Sequence, residues 1–123
     1  MKLEFLSGGS PDCPLIRIFE FSVEQLSELL GEIRSLAHGE STSFNLDSIA
    51  GAESIENLSL SFLAADQDEG LVGQAPTFEL RLRPLRWSEV EGLARALLGS
   101  SGGYQWLSDE GVASVLLSST GEG

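Results

Sequence analysis

Residues 15–39 read LIRIFEFSVEQLSELLGEIRSLAHG, and this stretch decides the fold. In its first part Ile16 and Ile18 point one way while Leu15, Phe19 and Phe21 point the other, the period-2 signature of a strand. Apolar groups on both faces predict a strand inside a sheet rather than at its edge. From Val23 the period changes. Val23, Leu26, Leu29, Leu30, Ile33 and Leu36 form a single apolar stripe at helical spacing. Ser22 with Gln25 makes a capping box, and Phe21 with Leu26 stands at the positions of a hydrophobic staple. Gly39 after His38 supplies a left-handed stop. The spacing predicts a helix over 22–38.

A second strand–helix unit follows 64 positions later in the comparison of Ile16 with Leu80 and Ile18 with Leu82. Phe78, Leu80 and Leu82 alternate with Glu79, Arg81 and Arg83, the cleanest strand signal in the chain. Val90, Leu93, Ala94, Leu97 and Leu98 then predict a helix stopped at Gly99. Its start is open between a Ser88–Glu91 capping box and a Leu85–Val90 staple nearer Arg86. Glu91 precedes Arg95 by four residues, the favourable order for a surface ion pair. Leu58, Leu60 and Phe62 predict another half-buried strand, and weaker strands are expected at 2–6, 42–46, 103–107 and 112–117. The stretch Ala64–Ala75, rich in acids and glycine, reads as a mobile loop.

Two amphipathic helices among many short strands predict an α+β two-layer sandwich. We expect a largely antiparallel sheet of about five to seven strands with both helices on one face, in a doubled ββαβ or ferredoxin-like arrangement. One domain over 1–117 with a flexible tail at 118–123 is the corresponding expectation.

With 19 acidic residues against 7 basic ones, the 123-residue chain carries a formal charge of −12. Such a field repels phosphate, which argues against nucleic acid and anionic membranes as partners. The charge is uneven: residues 1–76 carry net −10 and residues 77–123 net −2. No apolar run approaches the ~20 residues that span a bilayer, and the N-terminus has no signal-peptide h-region, so a cytoplasmic location is expected. Cys13 is the only cysteine, so no internal disulfide forms, and its acidic neighbour Asp12 gives no activation.

Candidate sites divide by charge. Glu24, Glu28 and Glu32 repeat every four residues and line one face of the first helix, away from the apolar stripe. With Asp66, Asp68 and Glu69 in the acidic loop they form a candidate docking surface for a basic protein partner; their alternative role is solvation. Arg81, Arg83 and Arg86, with Trp87 beside them, form a candidate site for a small anionic ligand or substrate, set against plain cross-strand pairing with carboxylates. Tyr104 and Trp106 share a strand face and read as core anchors, or as an interface anchor if exposed.

Catalytic motifs are missing. Asp66-Gln67-Asp68-Glu69-Gly70 departs from a calcium loop in its glycine position and ends on Thr77 where a bidentate Glu is needed. His38 is the only imidazole and closes a helix, and the glycine run 99–103 follows a helix instead of preceding one, the wrong order for a phosphate cradle. No cofactor is expected. The sequence thus favours a non-enzymatic interaction domain of the accessory or immunity type, with an anion-binding domain or a homo-oligomeric structural domain, such as a homodimer, as alternatives.

Overall fold

The computed structural model describes residues 1–8, 14–98 and 103–119. Strands β1 (Lys2–Leu6) and β2 (Leu15–Phe19) lead into helix α1 (Val23–Ala37), followed by β3 (Ser43–Asn45), β4 (Glu53–Ser54) and β5 (Ser59–Ala64). Strands β6 (Gly70–Gln74) and β7 (Thr77–Leu82) lead into helix α2 (Pro84–Arg95), followed by β8 (Tyr104–Ser108) and β9 (Ser114–Ser118). The α+β class with two helices is observed. The strands are divided between two mixed sheets, of order β4-β1-β2-β9-β8 and β3-β5-β7-β6.

This division has a simple logic. The chain consists of two similar units, an antiparallel strand pair, a helix and a second antiparallel pair. Each sheet takes the first pair of one unit and the second pair of the other. The two joints are both parallel: β2 against β9, with Ile16 opposite Val115, and β5 against β7, with Phe62 opposite Leu80. The connections repeat the relation. Segment β4 pairs in parallel with β1, and Gly111 forms a parallel bridge to Leu71 in β6. The doubling expected from the 64-residue shift is therefore present, with a fifth strand position in each unit and with strand pairs exchanged between units. The shift also matches burial in the helices and the turn after α2, where Leu26 and Val90, Leu30 and Ala94, and Ile33 and Leu97 are all buried.

Local chemistry explains the element boundaries. Helix α1 starts at the expected cap: Ser22 Oγ accepts from the Gln25 N–H, and Gln25 Oε1 accepts from the Ser22 N–H. Gly39 closes it at φ 75°. Helix α2 starts earlier than either expected cap, with Pro84 in its first turn and Arg83 extended ahead of it. A residue before proline is pushed out of helical geometry, so the strand-to-helix switch falls at Arg83. The Glu91–Arg95 pair forms as expected.

Three further sequence expectations change. Strand β6 runs through the segment read as a mobile loop, because Leu71 is fully buried and glycines on either side let the chain turn tightly. The last strand includes Ser118, which is buried, and the Ser119 N–H donates to Gly103 O, so these two residues are tied into the sheet. Val23, placed on the apolar stripe, is exposed in the first turn of α1. The readings for Cys13, Gly99 and positions 120–123 fall outside the described residues. One apolar core links both sheets and both helices, running from Leu3, Ile16 and Ile18 through Leu29 and Ile33 to Phe62, Leu80, Trp87 and Leu117.

Candidate functional site

Helix α1 presents Glu24, Glu28 and Glu32 to solvent, the first two exposed and the third half-buried. A rise of ~1.5 Å per residue spreads the three carboxylates along about 12 Å. None of the three pairs with a cation among the described residues. The core face of the helix, Leu26, Leu29, Leu30, Ile33 and Leu36, is fully engaged, so the acidic face is the one left to solvent.

The other candidates are brought together in an unexpected way. Asp68 Oδ1 accepts from the Arg83 backbone N–H at 3.0 Å, and Asp68 Oδ2 accepts from Arg83 Nη2 at 2.9 Å. Arg81 donates through Nε and Nη2 to Glu79 Oε1 at 3.0 and 2.6 Å, and its Nη1 lies 3.5 Å from Glu69. Arg86 pairs with Glu89 at 2.9 Å. The acidic loop and the arginine strand, read separately from sequence as two opposite sites, are largely one internally neutralised surface. Only Asp66 of the acidic trio makes no ion pair among the described residues. An open depression of about 570 Å³ lies here, lined by Ala65, Asp66, Gln67, Glu69 and Arg81. It offers carboxylates as well as a guanidinium to whatever enters.

Trp87 is not at this surface. Its ring is fully buried against Phe62, with ring centroids 4.8 Å apart, and its Nε1–H donates to Leu63 O at 2.8 Å. The indole serves the core. Of the other aromatic pair, Trp106 is half-buried and Tyr104 is 51 % exposed, on the edge strand β8.

The hydrogen bonds from the Arg83 side chain, then from its backbone, hold the Asp68 carboxyl below the usual carboxylate range. A depressed folded-state value contributes stability that is present above the unfolded value, about 4, and is lost as pH falls through the lower folded value. Asp68→Asn is therefore expected to be less stable than wild type in urea at neutral pH. The gap should close as pH falls below about 4. A gap that stays constant across this range would show that the carboxylate charge is not responsible.

Among the described residues no group of three or more His, Cys, Asp or Glu side chains converges to hold a metal ion. No described helix is long and apolar enough to cross a membrane. His38 caps α1, with Nδ1 3.8 Å from Glu40, and has no nucleophile beside it among the described contacts. Comparison with protein-family models, with curated proteins and with solved structures finds no match for this chain.

Proposed function

We propose that this chain is a non-enzymatic protein-interaction domain, of the accessory or immunity type, whose α1 acidic face engages a basic protein partner. The single observation that carries this reading is the distribution of paired charge. Lys2, Arg17, Arg81, Arg83, Arg86 and Arg95 all have carboxylate partners within the chain. The ridge Glu24–Glu28–Glu32 has none among the described residues, although like charges four residues apart disfavour the helix by ~0.2–0.5 kcal/mol per pair. A partner's Lys or Arg groups would relieve that repulsion. The anionic-ligand reading is less favoured, because an anion at Arg81, Arg83 or Arg86 must displace a hydrogen-bonded carboxylate.

Reversal of the ridge tests the proposal. The E28K/E32K double variant is expected to lose capture of a basic partner from native lysate by roughly tenfold or more, with an unchanged circular dichroism spectrum. Capture equal to that of wild type would sink the reading.

A further inference from the structure

An open sheet edge presents unpaired backbone N–H and C=O groups, and three of the four edges here are shortened or capped. The five-stranded sheet ends on one side at β4, which is two residues long and carries Glu53. Strand β6 is covered at Leu71, whose N–H donates to Glu110 O while its carbonyl accepts from the Val112 N–H. In β3 the bond from Ala64 N–H to Thr42 O sets the alternation, so the Ser43 and Asn45 carbonyls face away from β5. Both are satisfied locally: Ser43 O accepts from Ser41 Oγ at 3.1 Å and Asn45 O from Ser48 Oγ at 2.7 Å.

Strand β8 is the exception. The Ser119 N–H donates to Gly103 O, which makes Gly103–Ser119 and Gln105–Leu117 the bonded pairs of the β8–β9 ladder. The backbone N–H and C=O of Tyr104 and Trp106 therefore point to the open side, and among the described residues no side chain or loop bonds to them. Their side chains share one face, Tyr104 exposed and Trp106 half-buried, while Leu107 on the opposite face is fully buried. Neither β8 nor β9 behind it holds a charged residue, in a chain of net charge −12. A bulge after Trp106 confines regular pairing to Tyr104–Trp106.

We propose that β8 pairs antiparallel with β8 of a second copy of this chain, about a two-fold axis at Gln105. The edge is self-matching in that register. Tyr104 meets Trp106 of the other copy, both with outward N–H and C=O, so each of these two pairs exchanges two hydrogen bonds. The same register sets tyrosine beside tryptophan on one face, twice. Charge admits a second copy here. Asp109, the first acid after β8, lies four residues from the axis, so its two copies stand roughly 25 Å apart, well beyond the ~8 Å screening length. A strand of unrelated sequence would meet the same backbone groups without the reciprocal aromatic pairs. Three residues from each copy fall short of the ~1,200 Å² of a stable complex, so the dimer is weak. No residue of α1 takes part, and the pairing stands independently of the acidic ridge.

Sedimentation equilibrium of the full chain from about 20 μM to about 1 mM tests the pairing, together with amide hydrogen exchange followed by NMR. The mass is expected to rise reversibly from that of a monomer toward that of a dimer. At the highest concentration the amides of Tyr104 and Trp106 should exchange about twofold more slowly. Raising salt from about 50 to about 500 mM is expected to strengthen association about threefold or more, because it screens the like charge of the two copies. Tyr104→Pro removes an outward N–H, which an edge strand tolerates, and should stay monomeric with an unchanged urea midpoint. Tyr104→Ser keeps the donor and removes the aromatic pair, so it should weaken the dimer about threefold or more and serves if the proline variant unfolds. A monomer at every concentration, a dimer equally strong in the folded variants, or association that weakens with salt overturns the pairing. Dimerisation without slower exchange at Tyr104 and Trp106 overturns it too.

Discussion

Gly111→Ala is expected to lose a large share of the stability of the domain. Gly111 sits at φ 92°, a backbone region that costs an L-residue roughly 1–2 kcal/mol. A methyl group there would lie 2.1 Å from Leu71 O and 2.4 Å from Leu71 N, well inside contact distance. Those atoms belong to the bridge itself: the Leu71 N–H donates to Glu110 O at 3.0 Å, and the Val112 N–H donates to Leu71 O at 2.9 Å. Forcing them apart forfeits two hydrogen bonds of about 1 kcal/mol each. The total, about 3–4 kcal/mol, is a large share of the ~5–15 kcal/mol that holds a small domain together. Urea unfolding monitored by Trp fluorescence measures it. Gly31→Ala is the control, because a side chain there meets nothing within 4 Å and sits in a helix, so it is expected to stabilise by about 0.5–1 kcal/mol. A Gly111→Ala protein as stable as wild type would mean that the bridge between β6 and the β8–β9 connection does not hold.

Trp87→Ala is expected to be comparably severe. The indole is fully buried in α2, stacks near Phe62 of β5, and donates to Leu63 O. It therefore ties the helix of the second unit to a strand of the first. Truncation of a buried aromatic side chain costs about 3–5 kcal/mol through the cavity it leaves. The orphaned Leu63 carbonyl adds to this unless water enters. Trp87→Phe separates the two effects, since it keeps most of the volume and removes only the donor, with an expected cost of about 1–3 kcal/mol. Calorimetry of the three proteins decides, and near-equal melting temperatures for wild type and Trp87→Ala would remove Trp87 from the core.

Much of the fold was legible in residues whose pattern is local. The β2–α1 stretch declared its strand, cap, stripe and stop in consecutive residues, and Phe78, Leu80 and Leu82 did the same for β7. What escaped depended on distant partners. Strand β6 contains only Leu71 and Val72 as apolar residues, and Leu71 is buried by a bridge to Gly111, some forty positions away. The split into two sheets follows from the parallel joints β2–β9 and β5–β7, which no local period encodes. Trp87 beside Arg86 looked like part of a surface site, but in a helix adjacent residues point about 100° apart, so one faces solvent and the next the core.

The candidate sites divide in the same way. The ridge of Glu24, Glu28 and Glu32 was readable because helical spacing alone decides which face it occupies. For the arginine strand the sequence offered a ligand site or pairing with carboxylates, but not the partners, since Asp68 and Glu69 reach Arg83 and Arg81 from another connection.

The central claim is that unpaired carboxylates on α1, rather than the arginine strand, carry recognition. The most direct measurement is the affinity of the captured partner as salt rises from about 50 to about 500 mM, over which the screening length falls below ~5 Å. The expected result is a steep, linear loss of log affinity with log salt in wild type, and a shallow slope for E28K/E32K, so that the two proteins converge at high salt. An affinity that does not change with salt, and is the same in both proteins, would contradict it.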